Sequence, residues 1–169
     1  MRLFSDKYEF FISGLDILSI FMEHVPETYP FLLYGNRYSL DEISKLLSKN
    51  NIAVVHRDIR KYQSMRQIPM LKDMVLLYPT NEFSYAKNGL ASFEKSFVDT
   101  YYEVTRRKYP LPLQELARIF MNMKRRSSLD TNRLIKIASW RRIDYDIRYI
   151  VERDFISDKA IEFVTLLKE

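Results

Sequence analysis

At 169 residues, 47% apolar and with a net charge of +5, the chain has the length of a single domain spanning 1–169 and enough apolar content for a packed core. It holds no cysteine, which excludes disulfide frameworks, thiol nucleophiles, cysteine zinc sites and iron–sulfur clusters. Its three glycines, Gly14, Gly35 and Gly89, are too far apart for a phosphate-cradling loop, so dinucleotide and P-loop chemistry are excluded as well.

In chain order, Tyr8 to Phe11 reads as an aromatic strand. Gly14 marks a turn, and Leu15, Leu18, Phe21 and Met22 repeat at helical spacing before Pro26 and Pro30 interrupt. The apolar stretch Phe10 to Met22 is broken by Ser13, Gly14, Asp16 and Ser19 and is too short to span a bilayer. Asp6 and Glu9 precede it where a signal peptide would carry basic residues; a cytoplasmic protein without a membrane segment is expected.

Phe31 to Tyr34 predicts a buried strand. Ser39 with Glu42 forms a capping-box pattern ahead of a helix whose apolar stripe is Ile43, Leu46 and Leu47. Ile52 to Val55 predicts the next strand, parallel to Phe31–Tyr34 across a compact crossover. Arg57 to Asp73 has no sustained period, and Met74 to Tyr78 predicts a strand closed by Pro79.

From Ser92 onward the spacing is helical. Its groups are Phe93, Phe97, Tyr101 and Val104; Leu113, Leu116, Ala117 and Phe120; Leu134, Ile137 and Ala138; Ile147, Ile150 and Val151; and Ile161, Val164 and Leu167. The expected architecture is α/β (α+β): a small mixed sheet with flanking helices over 8–80, then four to five helices over 90–169.

The charge is uneven. Residues 1–100 hold 12 basic and 12 acidic side chains, whereas 101–169 hold 15 and 10. Within 104–142, Arg106, Arg107, Lys108, Arg118, Lys124, Arg125, Arg126, Arg133, Lys136, Arg141 and Arg142 face only Glu115 and Asp130. Such an excess attracts a polyanion if the fold gathers it on one face, and otherwise forms scattered solvated helix surfaces.

Catalytic patterns are sparse. His56-Arg57-Asp58 has the first letters of a kinase catalytic loop, but Gln63 stands where the metal-binding Asn belongs, so it reads as a polar strand end. His24 and His56 are the two histidines, and Pro26 breaks the turn that would join Glu23 and Glu27 to His24. Asp41 with Glu42, and Asp144 with Asp146, sit where helix starts favour acids. No catalytic residue, metal site or cofactor is expected.

Ser92-Phe93-Glu94-Lys95-Ser96-Phe97-Val98-Asp99-Thr100-Tyr101-Tyr102 and Asn132-Arg133-Leu134-Ile135-Lys136-Ile137-Ala138-Ser139-Trp140-Arg141-Arg142 together resemble the AbiEi-type antitoxin family of bacterial abortive-infection, type IV toxin–antitoxin systems. Members carry an "LEKxLVD" helix start and, 35 to 40 residues on, an "NxxxLxxYAxRR" helix. Ser96 and Trp140 depart from those patterns. The preceding strand, helix to His24-Val25-Pro26, strand, helix and strand also resemble the family's C-terminal domain, so the likeness covers most of 8–152.

The resemblance implies a regulatory antitoxin module that binds rather than catalyses. It implies a functional link to a nucleotidyltransferase toxin without a required stable complex. Seven residues precede the first expected strand, so the family's winged helix is not expected here, and a separate DNA-binding protein is a candidate partner. In this reading Glu94 and Asp99 are acids early in a helix, Phe93 and Phe97 face the core, and Arg133, Lys136 and Trp140 share one face. That face suits phosphate and base contact, or an Arg stem packed on Trp. The candidate nucleic-acid or partner surface is Arg106, Arg107, Lys108, Lys124, Arg125, Arg126, Arg133, Lys136, Trp140, Arg141 and Arg142. The alternative is a small metal-dependent nuclease using Asp16, Asp41 or Asp58.

Overall fold

The computed structural model describes residues 7–57 and 74–153. The expected helix around Ile161, Val164 and Leu167, and the expected excursion from residue 58 to 73, lie outside them. The elements run β1 (Phe10–Ser13), α1 (Leu15–Leu18), a 3-10 turn (Ser19–Phe21), β2 (Phe31–Asn36), a 3-10 turn (Arg37–Ser39), α2 (Leu40–Lys49), β3 (Ala53–His56) and β4 (Met74–Thr80). They continue with β5 (Ala86–Lys87), β6 (Leu90–Ala91), α3 (Phe93–Arg107), α4 (Leu113–Arg126), α5 (Thr131–Trp140) and α6 (Asp144–Arg153). This is an α/β fold with a mixed six-stranded sheet in the order β3-β4-β2-β1-β6-β5. The described chain divides into two compact units, one of 7–17, 26–57 and 74–92 and one of 18–25 and 93–153.

In the first unit β1 and β2 are antiparallel, Phe11 opposite Tyr34. β2 and β3 run in one direction, as the crossover predicts, but β4 lies between them and is parallel to both. Alternation divides the sheet into two faces. Leu33, Val75 and Leu77 meet Leu40, Ile43 and Leu47 of α2, with Phe10, Ile12, Phe31 and Val54 half-buried around them. On the opposite face Phe11, Tyr34 and Tyr78 stack across three strands, with centroids 4.9 and 4.7 Å apart. All three are buried, so aromatic cross-strand pairs join β1, β2 and β4.

Several local expectations are corrected. β1 begins two residues later than predicted, and the helix after Gly14 relaxes to a 3-10 turn at Ser19. β4 passes through Pro79 because β3 ends opposite Leu77. Beyond that point β4 pairs with β2, Pro79 lying opposite Gly35, so the missing proline N–H interrupts no β3 ladder. The hairpin β5–β6 went unpredicted because its strands have two residues each; its turn holds Asn88 and Gly89 with φ of 53° and 75°.

The capping box is also absent. Ser39 makes no side-chain cap to α2, and Glu42 instead accepts the Tyr8 hydroxyl at 2.8 Å, with Lys7 Nζ 3.7 Å away. The 3-10 turn just before α2 places Asn36 as its cap, accepting the Tyr38 N–H. In α5 the cap is Asp130, whose Oδ1 accepts the Arg133 N–H at 3.0 Å. Asp130→Ala is therefore expected to cost about 1 kcal/mol in urea unfolding, and Ser39→Ala under about 0.5 kcal/mol. A Ser39→Ala loss equal to that of Asp130→Ala would contradict the cap assignment.

In the second unit α4 buries Leu116, Ile119, Phe120 and Met123; α5 buries Leu134, Ile137 and Ala138; α6 buries Ile147 and Ile150. Phe97 lies 5.5 Å from Phe120 between ring centroids. Phe93, expected in the core, is 36% exposed and packs edge-on against Phe21, because it opens the helix where the backbone is not yet enclosed. Among the described residues no helix is long and apolar enough to cross a membrane.

Candidate functional site

From Glu94 to Tyr101 every residue of α3 is buried, so the helix is enclosed on all sides over two turns. Such a helix is ordinarily apolar all round. This one instead carries Glu94, Lys95, Asp99 and Glu103 at 5%, 5%, 1% and 0% exposure. Charges taken out of water persist only when paired, and the partners come from the basic segment.

Arg133 of α5 lies 3.6 Å from Glu94 and 3.6 Å from Asp130, and the Asp130 N–H donates to Glu94 Oε1 at 3.3 Å. Arg141, just beyond α5, donates from Nη2 to Asp99 Oδ1. Arg107 sits 3.4 Å from Glu103 within α3, and Arg106 donates to Asp146 of α6 at 3.0 Å. The guanidiniums of Arg107 and Arg141 both lie 5.3 Å from the Tyr102 ring. Lys95, rather than an arginine, stands over Trp140, 5.8 Å from its centroid. Burial, with the Asp146 carboxylate nearby, pushes the Tyr101 hydroxyl well above its ordinary value.

The eleven predicted surface residues thus separate by environment. Arg106, Arg107, Arg133 and Arg141 are engaged with carboxylates of their own unit. Lys108, Lys124, Arg125, Arg126, Lys136, Trp140 and Arg142 are exposed. Those seven come from different places: the exit of α3, the last turn of α4, and α5 with its exit. Lys124, Arg125 and Arg126 occupy a helix C-terminus, where cations are favoured in any case. Arg133, Lys136 and Trp140 do not form one exposed group, because Arg133 turns to Glu94 and Asp130.

The acids Glu94, Asp99 and Glu103 were outside the sequence window that defined the basic segment. A usable signal was present: three carboxylates in a helix otherwise built of Phe97, Val98, Tyr101 and Val104. The exposure of Tyr145 and Tyr149 on α6, at 85% and 42%, had no such signal.

The nuclease alternative depends on carboxylates in the first unit. Asp41 is exposed in the first turn of α2, and Asp58 lies outside the described residues. Asp16 accepts from the Tyr29 hydroxyl at 3.4 Å. His56 shares a 2.8 Å hydrogen bond with Ser44 through Nε2. Among the described residues no group of three His, Asp or Glu side chains is arranged to hold a metal ion.

Burial pushes the Asp16 carboxyl up from 3.8 to about 6, against the opposing effect of the Tyr29 hydrogen bond. The folded state therefore binds more protons than the unfolded chain between these values. The associated stability is full below the unfolded value and is lost as pH rises through the folded one. Asp16→Asn is expected to raise stability by about 1–2 kcal/mol at pH 8, discounted for partial solvent screening, and to change it little at pH 3. Thermal melts of both proteins at the two pH values check this; equal effects at both would contradict it.

No protein-family model, curated protein or solved structure matches the chain.

Proposed function

We propose that this chain is an antitoxin-like regulatory module of a bacterial type IV toxin–antitoxin system, acting in the cytoplasm by binding rather than catalysis. Its counterpart would be a nucleotidyltransferase toxin held in check without a stable complex. One observation supports the reading. The two stretches that resemble the AbiEi-type antitoxin family are joined side chain to side chain, Glu94 to Arg133, Asp99 to Arg141 and Lys95 to Trp140. The two stretches, far apart in sequence, thus form one structural unit, with the remaining cations facing solvent for contact with a polyanion.

The test is bacterial growth with the neighbouring open reading frame induced, with and without this chain. Rescue is expected from the native chain. The informative variant replaces exposed cations, Lys124, Arg125, Arg126, Lys136 and Arg142, by Ala and spares Arg133 and Arg141, whose loss would destabilise the fold through Glu94 and Asp99. Loss of rescue by at least tenfold in colony count, with the melting temperature preserved, is expected. Absence of rescue by the native chain against a toxic reading frame would overturn the proposal.

A further inference from the structure

The outer face of α6 has an unusual composition. Its buried stripe is Ile147 and Ile150, and its exposed positions are Tyr145, Arg148, Tyr149, Glu152 and Arg153. A merely solvated helix face needs no aromatic ring, yet Tyr145 stands 85% exposed. Just ahead of the helix stand Arg142, exposed with φ 57°, and Trp140, 43% exposed. Lys136 is exposed one helical turn before Trp140. Exposed rings and cations therefore alternate in the sequence from the end of α5 through α6.

We propose that this stretch binds single-stranded nucleic acid, Trp140, Tyr145 and Tyr149 stacking on bases while Lys136, Arg142, Arg148 and Arg153 contact phosphates. The inference rests on the reading of a binding module and names its partner. Three features select this ligand. The charge is complementary: four exposed cations stand against the exposed Glu152 and the half-buried Asp144, while Asp146 is already engaged by Arg106. The rings are of the kind that stack on any base, and the Arg153 guanidinium, 5.7 Å from the Tyr149 ring, extends that platform.

Spacing is the third feature. Tyr145 and Tyr149 are four residues apart, about 6 Å along a helix axis, against about 3.4 Å per base along one strand of a duplex. Bases stacked inside a duplex show no free face to either ring, whereas a strand with splayed bases does.

The full chain provides its own reporter, since Trp140 is the single tryptophan. Binding is measured by anisotropy with a labelled 12-nucleotide single-stranded RNA, the same sequence as DNA, the corresponding duplexes, and inorganic polyphosphate. The proposal expects the single strands to bind at least tenfold more tightly than the duplexes and to quench Trp140 emission, with polyphosphate leaving it unchanged. Tyr145→Ala and Tyr149→Ala should each weaken single-strand binding about tenfold, at unchanged melting temperature, while Tyr145→Phe and Tyr149→Phe retain it. Comparable RNA and DNA affinities identify stacking as the common basis; a preference for RNA adds a 2′-hydroxyl contact to it.

Equal binding of duplex and single strand, or affinities indifferent to the Tyr→Ala changes, would overturn the proposal. So would a lack of binding to every polyanion. Rescue in the growth assay together with such a lack would leave the antitoxin reading standing on a protein contact.

Discussion

Arg141→Ala is expected to lower the unfolding free energy by about 3–5 kcal/mol, whereas Lys136→Ala, on the exposed side of the preceding helix, should change it by less than about 0.5 kcal/mol. The difference arises from what each side chain leaves behind. Removing Lys136 returns a solvated position to solvent. Removing Arg141 takes from the Asp99 carboxylate, 1% exposed inside α3, the guanidinium that donates to it. It also removes one of the two guanidiniums beside the Tyr102 ring.

Urea unfolding of Arg141→Ala, Asp99→Ala and the double variant provides the check. The double variant should lose less than the sum of the singles, because once one partner is gone the other has little left to contribute. Asp99→Leu with Arg141→Met should recover much of the loss, since a well-packed apolar pair avoids the desolvation cost altogether. Strict additivity would show that the two side chains do not act as a pair.

Gly14→Ala is the second large effect, at about 2–4 kcal/mol, with two separate origins. Gly14 has φ +85°, a left-handed conformation that costs an L-residue about 1–2 kcal/mol. A Cβ there would also stand 2.9 Å from both Cδ1 and Cγ of Leu32, which is buried at 1% exposure and cannot withdraw. The same glycine presents its carbonyl to the Ile17 N–H at 3.1 Å, opening α1. Leu32→Ala in the same chain should remove the steric part and leave the conformational part, so the double variant is expected to fall short of additive. Chemical denaturation of the four proteins measures this, and a Gly14→Ala loss below about 0.5 kcal/mol would contradict the assigned backbone.

Gly14 was readable in advance because a lone glycine between a strand pattern and a helix pattern has few other roles. The helices from 93 to 153 were readable because their apolar residues repeat at 3.6-residue spacing over ten or more positions. β2, β3 and β4 were readable as elements through their runs of aromatic and β-branched residues. Their spatial order was not, since the insertion of β4 between β2 and β3 leaves no mark in either strand's own residues. The Ser39 to Glu42 pattern failed because a helix cap depends on the chain direction just before the helix, and a 3-10 turn there moved Ser39 away from the needed geometry.

The basic segment shows the same division at the level of function. By itself, the order of residues determined that 104–142 holds far more cations than acids, and that Glu94, Asp99 and Glu103 occupy an otherwise apolar helix. Which cations those acids would engage was decided by the packing of α3 against α5, because a carboxylate's partner is its neighbour in space and Asp99 lies 42 residues from Arg141. Pairing then separated the two sets: Arg106, Arg107, Arg133 and Arg141 meet carboxylates of their own unit, and Lys108, Lys124, Arg125, Arg126, Lys136 and Arg142 face solvent. Hydrophobic period is a local property that a chain displays along its length, whereas charge pairing and exposure exist only once distant helices have met.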